Sequence, residues 1–157
     1  MGDINRQSTL REILRENYTA VEQTLEKETL KALERSYSPY SNFPVSCVLL
    51  LNNGQIVHGA NQENAAYPSG LCAERVALFS AFTRFPEASV THLAIALAPQ
   101  FKSVPYPCGA CLQVMAEMEQ RQEQAIQVCL ITDNKMYCAN GVKNFLPFAF
   151  EKGHLKA

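Results

Sequence analysis

The sequence has no apolar run approaching the roughly 18 residues needed to cross a membrane. It also lacks an excess of one charge, with 14 Lys and Arg against 15 Asp and Glu and a net charge of −1. Proteins that grip phosphate backbones or acidic membrane surfaces depend on surplus Lys and Arg, so neither partner class is expected. The start, Met1 to Leu14, is polar and mixed in charge, which argues against a secretion signal and for a cytoplasmic protein. Repeats, linkers and low-complexity segments are missing too. Composition is globular, and 157 residues suit one domain with one core.

What is present is cysteine, six in all. In a chain expected to stay in a reducing compartment, these are ligands, reactive thiols or core residues rather than disulfides. Their contexts separate them. Cys47, Cys129 and Cys138 fall in strand patterns and read as small buried hydrophobes. Cys72 opens a helical pattern and is followed by Ala73 and Glu74, while Cys108-Gly-Ala-Cys111 follows Pro107 into another helix.

The hydrophobic pattern orders the elements as a helical region, then ββαβαββ. Ser8 to Ser36 reads as helical in two parts, with a capping box at Thr9 and Glu12. Val45–Leu51 and Gln55–Ala60 form a hairpin about Asn53-Gly54. A helix from Cys72 to about Phe82 is apolar almost all round, which places it in a core or against another subunit. Later come a strand over Leu93–Ala98, a helix after Pro107, and strands over Ile126–Thr132 and Met136–Ala139. The expected class is α/β, a three-layer α-β-α sandwich around a mixed sheet of about five strands. Residues 1–29 read as an N-terminal helical extension without an evident role, within a single domain spanning 1–157.

A Cys-x-x-Cys pair at a helix N-terminus serves redox exchange or metal binding. Cys72 tips the balance toward metal by offering a third sulfur at a second helix N-terminus. Zinc catalysis uses three protein ligands and one water. Three thiolates would leave a zinc site with a net negative charge, which blunts Lewis acidity. The positive ends of both helices oppose that charge, as does Arg75 one turn beyond Cys72, although Arg75 equally suits an ordinary salt bridge. Glu74 could simply favour a helix's first turn, but beside three ligands it is placed to accept a proton from a metal-bound water. His58, His92 and His154 have no partner at ligand spacing and read as surface or loop residues. A zinc-stapled binding module would need a fourth protein ligand, which the sequence does not place. A thioredoxin-like role would leave Cys72 and Glu74 unexplained.

Cys72-Ala-Glu-Arg75 followed by Cys108-Gly-Ala-Cys111 resembles the zinc-dependent cytidine deaminases, in particular the short-chain, three-cysteine, homotetrameric type. Tyr37-Ser-Pro-Tyr-Ser-Asn-Phe-Pro-Val45, Gly59-Ala-Asn-Gln-Glu-Asn-Ala65 and Leu146-Pro-Phe-Ala-Phe150 resemble further motifs of that family, in its order. The resemblance spans roughly Leu30 to Phe150. It implies one zinc per chain on Cys72, Cys108 and Cys111, with Arg75 compensating charge at the zinc site. It also implies hydrolysis of cytidine and 2′-deoxycytidine to the uridines with release of ammonia, in pyrimidine salvage. Zinc-bound hydroxide would attack C4 while Glu74 shuttles protons. Asn61 and Glu63 would hold the ribose 3′-hydroxyl, Phe43 would wall the base, and the Ala73 amide would meet the pyrimidine carbonyl. Ala65, Tyr67 and Phe150 resemble residues that reach pockets of neighbouring subunits, making each active site a shared one.

The chain departs from the family pattern at Ser46-Cys47, where Gly-Ala is usual, and at Tyr106, where Ser often stands. Another cytosine-bearing small molecule is the alternative substrate. Polynucleotide editing is disfavoured, because Cys72 replaces a histidine and composition gives no basic groove.

Overall fold

The computed structural model describes residues 3–155. Its centre is a six-stranded sheet in the order β1-β6-β5-β4-β2-β3. The strands are β1 Arg11–Leu14, β2 Val45–Leu51, β3 Ile56–Ala60, β4 Val90–Leu97, β5 Gln127–Ile131 and β6 Lys135–Asn140. Pairing is antiparallel except between β4 and β5, so the sheet is mixed. Helix α1, Ala20–Ala32, covers one face, and α2, Ala73–Arg84, with α3, Gly109–Gln122, covers the other.

Strand alternation builds the two cores. Cys47, Leu49 and Leu51 of β2 and Leu93 and Ile95 of β4 pack under α2 and α3, with Val128 and Leu130 of β5. Their neighbours Val48, Ala94, Ala96 and Cys129 face α1, where Leu25 and Ala32 lie on them. The hairpin turns where the sequence predicts it, with Gly54 at φ 80°. No helix among the described residues is long and apolar enough to cross a membrane.

The N-terminal region differs from the helical expectation. Arg11–Leu14 is an edge strand, paired antiparallel to β6, and it raises the strand count from about five to six. Leu10 and Leu14 are substantially exposed. The true capping box lies later: Glu22 N–H donates to Thr19 Oγ1 at 3.4 Å, and the Glu22 carboxylate accepts from Thr19 N–H at 2.7 Å. Residues 3–29, the described part of the expected 1–29 extension, are therefore not a helical appendage. They supply the strand that covers the open edge of β6 and most of the helix that forms one outer layer.

Ser46 has a local explanation. Its buried hydroxyl donates to the Thr29 carbonyl at 2.6 Å and ties β2 to α1. Cys47, on the opposite face, sits in the core with Ala73 and Ala77.

Gly59 sets how closely β3 approaches the start of α2. A Cβ there would collide with the Ala73 carbonyl oxygen and lie 2.6 Å from Ala77 N, both backbone atoms that cannot rotate away. Gly59→Ala is therefore expected to push the α2 N-terminus outward. Thermal denaturation should show a loss of about 1–3 kcal/mol, and metal analysis should show weaker zinc retention.

Candidate active site

Two helix starts meet above β2 and β4. Cys72 is the N-cap residue of α2, and Cys108 is the N-cap residue of α3, with Cys111 in the first turn of that helix. Neither N-cap side chain bonds its own helix. The sulfurs turn toward one another instead. Cys72 Sγ lies 3.9 Å from Cys108 Sγ, Cys108 Sγ lies 3.5 Å from Cys111 Sγ, and all three fall within 4.8 Å.

That spacing fits a single ion. Thiolates at about 2.3 Å around a tetrahedral zinc stand about 3.8 Å apart, between the two closest separations here. The donor set fits zinc as well, being three soft sulfurs with no competing fourth protein ligand in the cluster.

Electrostatics favour thiolate at this point. The Cys72 thiol is drawn down to about 5, first by a hydrogen bond from Cys111 and then by Arg75 and Cys108. Cys111 is pushed up in the same exchange, since it holds the proton the pair shares and is buried. Arg75 Nη2 approaches Cys72 Sγ at 3.8 Å. It makes no ion pair with a carboxylate among the described residues. Its Nε is buried without a partner.

Glu74 follows two residues after Cys72 and is almost wholly buried. Burial raises its carboxyl above the usual range, with the negative Cys72 adding to the effect. A carboxylate seldom goes this deep without an ion-pair partner. The cost is consistent with a group that must hold a proton for part of its work.

A cavity of about 390 Å³ opens over these groups. Cys72, Ala73, Glu74 and Cys108 form its floor, and Phe43, Asn61 and Glu63 its wall, with Val104 and Tyr106 on the facing side. As the first residue of α2, Ala73 has an amide without an intrahelical acceptor. Phe43 is held edge-on against Phe101, with ring centroids 4.4 Å apart. Nothing in the sequence marks Phe101, because the contact depends on where the loop after β4 returns. Tyr106, in place of the family's Ser, is mostly exposed at the cavity rim.

Asn61 and Glu63 do structural work as well. Asn61 Oδ1 accepts from Ser36 Oγ at 2.6 Å and from Val45 N–H at 2.9 Å, while Nδ2 donates to the Phe43 carbonyl at 2.9 Å. One Nδ2 proton remains. Glu63 accepts from the Tyr40 and Ser41 amides at 2.9 and 3.2 Å and from the Ser41 hydroxyl, which holds its carboxyl below the usual range. Ser36 and Ser41 thus belong to the site's frame, although only Ser41's place in the Tyr37–Val45 stretch hinted at it. Asn61→Ala removes three bonds that fix the Phe43 loop. It should cost about 1–3 kcal/mol in denaturant unfolding and raise KM for nucleoside more than it lowers kcat.

Ala65, Tyr67 and Phe150 are not brought to this cavity. All three are exposed; Tyr67 packs edge-on to Tyr40, and Phe150 stacks with His154 near the C-terminus. The histidines need correction. His58 is a half-buried strand residue paired to Glu28 at 2.9 Å, and His92 is half-buried in β4; only His154 is exposed. None joins the sulfur cluster.

Residues 19–139 match the family model described as the cytidine and deoxycytidylate deaminase zinc-binding region. The chain belongs to this family. A cytidine deaminase of Halalkalibacterium halodurans is 47% identical over 96 residues, covering 61% of this chain and 70% of that relative. One from Mycoplasma genitalium is 29% identical over 126 residues, covering 80% and 86%. The crystal structure of cytidine deaminase from Burkholderia pseudomallei superposes with a TM-score of 0.70 at 34% identity, covering 82% of this chain and 98% of that one. The chain is a zinc-dependent hydrolytic deaminase with one zinc per chain. The family match begins at residue 19, so β1 lies outside it.

Proposed function

We propose that the protein deaminates cytidine and 2′-deoxycytidine to uridine and 2′-deoxyuridine, releasing ammonia. The observation that carries this reading is one buried carboxyl, Glu74, lining the same cavity as Cys72 and Cys108, whose sulfurs with that of Cys111 are spaced for one ion. The similarity to cytidine deaminases supports the nucleoside.

Cys72, Cys108 and Cys111 would hold the zinc, which when bound acts as a Lewis acid that brings the pKa of water to about 7. Glu74 accepts a proton at its carboxylate and delivers it to pyrimidine N3, then carries a second proton to the exocyclic nitrogen, which departs as ammonia. Its burial keeps bulk water from competing for either proton. Arg75 and the two helix starts draw charge from the sulfurs. The Ala73 amide donates to the pyrimidine carbonyl, and Phe43 bounds the base. The free Nδ2 proton of Asn61 and the carboxylate of Glu63 bracket the ribose 3′-hydroxyl, one donating to it and one accepting from it.

The exposed Ala65, Tyr67 and Phe150 support a homotetramer in which each pocket is completed by neighbours, as does half-exposed Phe79 on the outer side of α2. We read residues 1–157 as one domain acting in cytoplasmic pyrimidine salvage.

The test is an ultraviolet assay on cytidine, 2′-deoxycytidine, cytosine, dCMP and adenosine. Turnover of the two nucleosides alone is expected. Preference for dCMP would overturn the unphosphorylated nucleoside as substrate, and preference for free cytosine would leave the ribose-binding pair without a purpose.

A further inference from the structure

Two cysteines outside the zinc site face each other across the sheet. Cys129 of β5 and Cys138 of β6 are direct register partners, and their sulfurs stand 2.7 Å apart. Facing residues of an antiparallel pair have Cα atoms about 4.5–5.5 Å apart. Disulfides span Cα separations of about 4.4–6.8 Å. Register alone therefore places this pair where a bond can form with little backbone movement.

The surroundings favour such a bond. Both thiols are buried beneath α1, among Tyr18, Leu25, Ile131 and Met136. Cys129 shares its proton with Cys138, which lowers the Cys138 thiol against the opposing effect of burial. Cys138 is opposite Arg11 of β1, and that outermost strand has only four residues, three of them exposed. Transient release of so short an edge gives a small oxidant a path to Cys138. The zinc-site cysteines lie on the other side of the sheet, since Val128 and Leu130 pack beneath α2 and α3 while Cys129 faces α1.

We propose that Cys129 and Cys138 form a reversible disulfide modification site, oxidised by hydrogen peroxide, that staples β5 to β6 on the face away from the zinc. Cys138 as thiolate attacks a peroxide oxygen; the O–O bond breaks, leaving a sulfenic acid on Cys138 and hydroxide, which takes up a proton as water. The Cys129 sulfur then attacks the Cys138 sulfur. The S–S bond forms, the S–O bond breaks, and the Cys129 proton leaves with the hydroxyl as a second water. Two thiols lose two electrons, and one peroxide gains them. A dithiol reductant reverses the bond by exchange.

Zinc-loaded protein is treated with graded hydrogen peroxide, alkylated in denaturant and digested with trypsin, which cuts after Arg121, Lys135 and Lys143. Fragments 122–135 and 136–143 should appear as one linked species. That species should lack two hydrogens relative to the separate thiol peptides and return to two alkylated peptides after dithiothreitol. Zinc content should be unchanged at the peroxide level that links them, and the thermal transition should rise by several degrees. Cys129→Ser should abolish both the linked species and the thermal shift. The proposal is overturned if both fragments remain separately alkylated while the zinc-site cysteines oxidise. It is also overturned if Cys138 links to a cysteine other than Cys129.

Discussion

Glu74→Gln is expected to lower kcat on cytidine by at least about 10³-fold, near the upper part of the range for a positioned general acid–base. The glutamine keeps the size and most of the polarity of the glutamate but cannot carry a proton. In the proposed mechanism Glu74 moves two protons in one cycle, to N3 and to the exocyclic nitrogen, so both deliveries would fail together. Zinc should stay, because the three sulfurs do not depend on the carboxylate for their approach. Stability should stay level or rise, since the substitution removes a buried ionisable group whose carboxyl is already raised by burial. Steady-state assay alongside metal analysis separates these effects. A variant with near-normal kcat would remove Glu74 from the mechanism; one without zinc would make it a structural residue instead.

Cys108→Ala is expected to bring turnover to background by another route. It removes one of three sulfurs and leaves two thiols, of which Cys111 is buried. Both helix starts are arranged around the ion, so metal loss should also loosen the contact between α2 and α3. Zinc per chain should fall well below one at micromolar free metal. The thermal transition should drop and stop responding to a chelator, whereas the parent protein's transition should fall on chelation. The contrast with Glu74→Gln is diagnostic: one variant loses chemistry while holding metal, and the other loses metal and stability with it.

The zinc cluster was legible in the sequence because short-range rules govern it. A cysteine at a helix start, an acid two residues on, and a Cys-x-x-Cys at another helix start are local signals, and only their convergence required a fold. Strand positions from Val45 onward were legible for the same reason, through period-two burial and Asn53-Gly54. The segment Arg11–Leu14 was not. Its strand conformation comes from β6, more than a hundred residues later, whose open edge offers hydrogen bonds that local propensity cannot foresee. The same distance hid the partner of His58, since Glu28 reaches it only when α1 lies on β3. Asn61 and Glu63 were legible as polar loop residues, but their grip on Ser36, Ser41 and Val45 depends on two loops crossing. Cys129 and Cys138 each read correctly as buried. That they touch is a matter of register, which no pattern within either strand specifies.

In the proposed mechanism one zinc, held by three cysteines, and one carboxyl constitute the chemistry. The most direct measurement follows zinc content and cytidine turnover in a single preparation as the metal is stripped and restored. One zinc per chain is expected at full activity, with turnover falling in proportion to metal removed and recovering when zinc is added back. Full turnover of cytidine by protein that retains no zinc would contradict that mechanism.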